Sequence, residues 1–124
     1  IFAGKLIEGE PCIIYGNGMQ TRDFVYVEDV ASAFVASIEN GDGKLFNIGT
    51  GSETSIQNLY KLMANTVGSH GGPIWSKERS GEVERSSLDP SFAEKILGWK
   101  PETNLENGVS LTVKWFESEK EETS

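Results

Sequence analysis

Apolar positions recur at helical spacing in four stretches of the chain. Glu28 to Asn40 carries Val30, Phe34, Val35 and Ile38 on one face, with acidic residues in its first turn and Gly41 beyond its end. Thr54 to Val67 opens with Thr54 and Gln57 at capping-box spacing; Ile56, Leu59, Tyr60, Met63 and Val67 then follow the helical period up to Gly68. Asp89 to Leu97 starts with Asp89 as N-cap and Pro90 at the first helical position, and stops at Gly98. The fourth opens at Thr103, with Glu106 three residues on, and runs through Leu105, Val109, Val113 and Phe116 into an acidic tail. Between them, Pro11 to Tyr15, Arg22 to Val27, Lys44 to Ile48 and Pro73 to Lys77 read as short strands, and Gly16-Asn17-Gly18 as the turn joining the first two. Residues 1–9 read as the tail of a further helix. The expected fold is α/β (α+β), a small sheet with about four helices in one domain over residues 1–124.

Composition narrows the function classes. With 124 residues, 37% hydrophobic and 24% charged, the chain can bury a core and is neither disordered nor fibrous. No apolar run approaches the ~20 residues of a membrane span, and the first residues lack a signal-peptide pattern, so a cytoplasmic, non-membrane protein is expected. A net charge of −8 argues against nucleic acid. Only five Arg or Lys lie between Gly16 and Glu84, so a phosphate site must be a local concentration of arginine and backbone N–H. The single cysteine, Cys12, sits in the apolar run Cys12-Ile13-Ile14-Tyr15 and reads as a buried thiol. His70 reads as a loop residue without a partner to orient it, and no metal site is expected.

The most specific stretch runs from Tyr15-Gly16-Asn17-Gly18 through Gln20, Arg22-Asp23-Phe24 and Val27 to Asp29. Along the second strand Arg22, Phe24 and Tyr26 share one face and Asp23, Val25 and Val27 the other. Arg22 there either aims its planar guanidinium at a phosphate or carboxylate, or pairs internally with Asp23 or Glu28. Asp29 reads as a helix-cap acid, Asn47 as a structural amide tying loops, Trp99 and Trp115 as packing for the C-terminal helices, and Trp75 as a cover for a sheet face.

This stretch resembles the Y-G-x-G-x-Q-x-R-D-F-x-x-V-x-D segment of the extended short-chain dehydrogenase/reductases, the NAD-dependent nucleotide-sugar epimerases and dehydratases. Phe46-Asn47-Ile48-Gly49-Thr50-Gly51 is similar to the family's F-N-I-G strand and Arg79-Ser80-Gly81-Glu82 to its R-P-G-D. Leu97-Gly98-Trp99-Lys100-Pro101 and Leu105-Glu106-Asn107-Gly108 are similar to its closing L-G-W-x-P and L-x-x-G. The resemblance spans nearly the whole chain. It implies the C-terminal, substrate-binding part of such an enzyme, UDP-glucose 4-epimerase-like, without its N-terminal Rossmann domain. The family's G-x-x-G-x-x-G turn and Y-x-x-x-K pair do not occur here. The implied NAD therefore belongs to the parent enzyme, and this chain alone is expected to bind no cofactor and to be non-catalytic.

The resemblance also implies a nucleotide-diphosphate site. Tyr15 matches a position beside the base, with a core tyrosine as the rival reading. Arg22 and Arg79 match the two diphosphate arginines. Ser55 lies where a polar side chain and free N–H groups approach the same diphosphate, or it simply caps a helix. Glu82 stands in place of the aspartate near the ribose hydroxyls, and Ser80 in place of the family's proline. The expected partners are a UDP-sugar or related NDP-sugar, the N-terminal Rossmann domain, and further copies of the chain, since Phe24, Tyr26, Phe46 and Trp75 lie on strands that a small sheet cannot cover. The alternative is a non-catalytic module binding a nucleotide diphosphate or a protein.

Overall fold

A computed structural model describes residues 2–81 and 84–123. In chain order it contains α1 (Phe2–Ile7), β1 (Ile13–Tyr15), β2 (Thr21–Arg22), α2 (Val27–Asn40), β3 (Thr54–Ser55), α3 (Ile56–Val67), β4 (Ile74–Ser76), α4 (Ser91–Leu97) and α5 (Leu105–Thr123). β1 pairs with β4 in parallel, Ile13 opposite Ile74 and Tyr15 opposite Ser76, and β2 pairs with β3. This is the expected mixture of helices around little sheet, with α1 as a fifth helix among the described residues. The chain divides into two units: Ile1–Gln20, Ser55–Glu84 and Glu106–Ser124 form one, Thr21–Thr54 and Arg85–Leu105 the other.

The first unit has its core where the sequence pattern puts it. Leu6, Cys12, Ile14, Tyr60 and Ala64 are buried together, with Phe2, Ile56, Met63 and Val67 packed against them. Ile14 is fully enclosed, and Phe2 meets the Tyr60 ring edge-on at 5.8 Å. α3 forms because its apolar residues fall on one face and both ends are closed. Ser55 Oγ accepts from the Asn58 amide at 3.1 Å, and Gly68 stops the helix in the left-handed conformation, its amide bonded to the Ala64 carbonyl. The cap is Ser55 rather than the expected Thr54, because Thr54 and Ser55 are held as a strand up to the first helical residue.

The second unit is thinner. Ala33, Ala93 and Trp99 form its buried cluster, with Phe46, Ile48 and Leu97 against them. Trp99 donates its indole N–H to the Asp29 carbonyl and to Ser32 Oγ, both at 2.9 Å. α2 starts at Val27, with Tyr26 at the N-cap position and no side-chain cap bond. Asp29 is therefore not the cap; it is buried, and its carboxylate accepts from the Thr103 amide at 3.1 Å. α4 begins at Ser91 with Pro90 as N-cap, and Asp89 instead accepts from the Ser91 amide and hydroxyl.

Four expectations are overturned. Phe24 to Val27 and Lys44 to Ile48 form no strand. Their alternating patterns suit a sheet, yet neither segment finds a ladder partner among the described residues, so Phe24, Tyr26 and Phe46 lie outside strands. Phe34, Val35 and Ile38, read as a core face, are 69%, 67% and 80% exposed. Trp115, read as packing for the C-terminal helices, is exposed.

The turn after β1 is tightly specified. Gly18 has φ +71°, and a Cβ there would stand 3.0 Å from Ile14 Cγ2 and 3.1 Å from Gln57 Cβ. Gly18→Ala combines backbone strain with a clash and is expected to cost about 1–3 kcal/mol. Thermal melting followed by circular dichroism checks this; an unchanged midpoint would show that the turn does not constrain the fold.

Candidate functional site

Two of the residues singled out for phosphate and base meet at the end of β1. Ile14 points into the core, so its neighbour Tyr15 faces the other side of the strand, half-buried. β1 and β4 run in parallel, so both end at the same edge, and the chain leaving β4 carries Arg79 back over Tyr15. The Arg79 guanidinium carbon lies 3.8 Å from the centre of the Tyr15 ring. The loop beneath is held by the Gly16 amide on the Ser76 carbonyl at 2.9 Å and by the Gln20 side-chain amide on the Tyr15 carbonyl at 3.3 Å. A planar cation over an aromatic face is a stacking surface with a positive charge attached.

Ser55 belongs to the same unit and works as a cap. The first amides of α3 are all engaged: Ile56 donates to the Gln20 carbonyl, Gln57 to the Gly18 carbonyl and Asn58 to Ser55 Oγ. This helix start therefore offers fewer free N–H groups than its sequence position implies. Ser55 Oγ, while accepting from Asn58, still has its own proton to donate. Glu82 lies outside the described residues.

Arg22 lies in the second unit, half-buried, and its Nη1 donates to the Thr21 carbonyl at 2.6 Å. The neighbouring Asp23 organises that unit's loops. Its carboxylate accepts from the Thr50 amide and hydroxyl, from the Gly51 amide at 2.9 Å and from the Leu88 amide at 3.2 Å. Burial alone pushes this carboxyl up. The bonds from Thr50, Leu88 and Gly51 together outweigh it and hold the group below the usual carboxylate range. Nearby, Arg85 grips Glu53 with two bonds, Nε at 3.1 Å and Nη2 at 2.6 Å, and Thr21 Oγ1 donates to the same carboxylate at 2.8 Å. Sequence reading missed Asp23 as a hub and missed the Glu53–Arg85 pair. The only signal for Asp23 was its place beside Arg22 in the specific stretch. A cavity of about 370 Å3 in this unit is lined by Phe24, Thr50, Ser52, Thr54, Thr103 and Leu105 among others, offering hydroxyls and an apolar wall.

The relatives of this chain are nucleotide-sugar epimerases and dehydratases. The chain is a member of the GDP-mannose 4,6 dehydratase family, whose sequence profile matches residues 2–112. It is 44% identical over 118 residues to a putative UDP-glucose 4-epimerase of Methanocaldococcus jannaschii, covering 95% of this chain and 38% of that protein. It is 42% identical over 117 residues to the UDP-glucose 4-epimerase of Mycolicibacterium smegmatis, covering 94% of this chain and 37% of that protein. The crystal structure of the UDP-glucose 4-epimerase of Thermotoga maritima with UDP-glucose superposes with a TM-score of 0.92 at 40% identity, again over 95% of this chain and 38% of that one. The chain thus spans about two-fifths of the length of the relatives it matches. The UDP-glucuronic acid 4-epimerase of Bacillus cereus, solved with NAD, shares the fold over the same portion with a TM-score of 0.85 at 27% identity.

The Gly49-Thr50-Gly51 loop does not fit the pyrophosphate of NAD. The glycine loop Gly49-Thr50-Gly51 is the nearest thing to a phosphate cradle, but its amides at Thr50 and Gly51 already donate to Asp23. A Cβ at Gly49 would stand 2.8 Å from both Asp23 Oδ2 and Leu88 Cβ, so the loop is filled by an acid that repels a pyrophosphate. Among the described residues no cluster of His, Cys, Asp and Glu could hold a metal ion, and no helix is long and apolar enough to cross a membrane.

Because Asp23 is depressed in the fold, its stabilisation is complete above the ordinary aspartate value of about 3.9 and is lost as pH falls through its lower folded value. Asp23→Asn keeps one acceptor oxygen and loses the charge. It is expected to cost about 1.5–3 kcal/mol at neutral pH and to flatten the acid limb of the stability profile. Urea unfolding from pH 7 down to pH 2 measures both; parallel wild-type and variant curves would remove Asp23 from its role as hub.

Proposed function

We propose that this chain is the NDP-sugar-binding part of an NAD-dependent nucleotide-sugar epimerase, and that Tyr15 and Arg79 receive the nucleotide diphosphate. The observation that carries this is the Arg79 guanidinium lying 3.8 Å over the Tyr15 ring. A charge-assisted contact to phosphate is worth about 1.5–3 kcal/mol, so a diphosphate is a strong partner for Arg79, while the half-buried Tyr15 ring offers an aromatic face to the base. Ser55 caps α3 through its acceptor lone pair and donates its hydroxyl proton to the diphosphate. Glu82 takes the ribose hydroxyls.

UDP is the favoured nucleotide and 4-epimerisation the favoured reaction, because the relatives at 44% and 42% identity are described as UDP-glucose 4-epimerases. The chain alone is not catalytic, since the acid/base pair and the dinucleotide turn are absent from its sequence. Hydride chemistry on NAD belongs to the part of such an enzyme that this chain does not span. A molecule of this charge must hold an anion against a repulsive background, so binding by the chain alone is weak and sensitive to salt.

The chain also associates with itself. The β1–β4 pair is a two-stranded sheet with Ile13, Ile74 and Trp75 at 39%, 50% and 48% exposure, and parallel strands are seldom left uncovered.

Titrating UDP into the chain by NMR is expected to shift resonances of Tyr15 and of the loop around Arg79. Arg79→Ala is expected to weaken binding roughly tenfold or more, while Tyr15→Phe retains stacking and most of the affinity. Identical responses in wild type and Arg79→Ala would remove Arg79 from the site. For self-association, sedimentation velocity at several concentrations is expected to show a rising mass; a strict monomer throughout would refute it.

A further inference from the structure

The chain contains the steps Asn17-Gly18, Asn40-Gly41 and Asn107-Gly108. At such a step the glycine nitrogen can attack the asparagine side-chain carbonyl carbon, because glycine has no side chain to shield it and a freely turning backbone. The fold separates the three. Asn107 and Gly108 lie inside α5, where helical dihedrals hold the peptide away from ring closure. Asn40 ends α2, and the Gly41 amide is bonded to the Ser37 carbonyl at 2.8 Å. Asn17 lies in the turn after β1, outside helix and strand, and is exposed. The Gly18 amide donates to no acceptor among the described residues.

Asn17 is also activated. Its Oδ1 accepts from the Met19 amide at 2.9 Å. A side-chain carbonyl bonded two residues ahead lies alongside the intervening amide, here that of Gly18. The Met19 N–H thus sits on the oxygen where negative charge develops as the carbon is attacked. Gly18 is enclosed by Ile14, Gln57 and Trp75, so the atoms that swing to close the ring are the exposed ones of Asn17.

We propose that Asn17 is a site of spontaneous deamidation, and that the change unfastens α3 from β1. The Gly18 nitrogen bonds to Asn17 Cγ, the Cγ–Nδ2 bond breaks, and ammonia leaves with the proton of the Gly18 amide. Water then opens the five-membered imide at either carbonyl. The products are aspartate and, with the main chain rerouted through the side-chain carbon, isoaspartate. Both add one negative charge to the −8 of the chain. Isoaspartate also adds one carbon to the backbone beside Gly18, where φ is +71° and a Cβ would already stand 3.0 Å from Ile14 Cγ2. The Gly18 carbonyl then loses its 2.8 Å bond from the Gln57 amide. All of this rests on the turn and on none of the nucleotide contacts.

The test holds the chain at mildly alkaline pH for days, folded and in urea, and maps its peptides by mass spectrometry. Isoaspartate is counted by enzymatic carboxyl methylation from labelled adenosylmethionine. In the folded chain, conversion at Asn17 is expected to be roughly tenfold or more faster than at Asn40 or Asn107. In urea the three rates are expected to converge. Asn17 lagging either of the others, or leading by the same factor in urea, would overturn the proposal. The isoaspartyl chain, isolated by anion exchange, is expected to exchange its Gln57 amide hydrogen roughly tenfold faster than the unmodified chain. Asn17→Asp, which carries the charge without the added carbon, is expected to keep the slow exchange. The deamidation rates and the isoaspartyl exchange are read on the wild type, so they decide the matter even if the variant does not fold. Unchanged Gln57 exchange in the isoaspartyl chain, or equally fast exchange in a folded Asn17→Asp, would overturn the link to α3.

Discussion

Gly18 has no room for a side chain, and much of the first unit follows from that crowding. With the turn pressed against Ile14, Gln57 and Trp75, its carbonyl reaches the Gln57 amide while the Gln20 carbonyl reaches Ile56. These are backbone bonds, so they position α3 against β1 regardless of side-chain rotamers. The Gly16 amide is tied to Ser76 in the same turn. Strand, turn, helix and second strand are therefore one hydrogen-bonded assembly, and the Tyr15–Arg79 pair sits on its rim. A site carried on so short a sheet gains its precision from the turn rather than from the sheet.

How far this was legible in the sequence depends on the range of each interaction. α3 was readable because its period, its cap and its stop at Gly68 are all local. The segments Phe24–Val27 and Lys44–Ile48 were misread because alternation reports a preference for a half-buried pleated surface, not the presence of a strand to pair with. α2 shows the same limit: its apolar stripe is in the sequence, but what the stripe faces is not. At the candidate site, Tyr15 and Arg79 are 64 positions apart, and nothing but the family resemblance linked them. Glu53 and Arg85 had no resemblance to flag them and passed unnoticed. Asp23 lay inside the most specific stretch, yet its role depends on amides from two distant loops that no spacing rule brings together.

The division of the chain has its own logic. Reading from the first residue to the last, the backbone passes between the two units four times, so neither unit is a contiguous piece of sequence. Contacts such as Thr103 to Asp29 and Leu88 to Asp23 span more than 60 residues. Closing such loops comes late and slowly relative to helix formation. The second unit, with three buried apolar residues at its centre, depends on hydrogen bonds and on Trp99 to a degree the first does not. Its polar ties make it the part that acid would loosen first.

Cys12 gives the first unit an internal clock. Its thiol is enclosed beneath α1 and lies 3.8 Å from the Phe2 carbonyl, and burial pushes its pKa upward against the opposing pull of Lys5. Thiolate is the reactive form, so in the closed state this sulfur is doubly protected, by access and by protonation. An alkylating reagent reaches it only in the intervals when α1 lifts from the core. The rate at which a single thiol is consumed thus reads the opening frequency of that helix, with no second cysteine in the chain to blur the record.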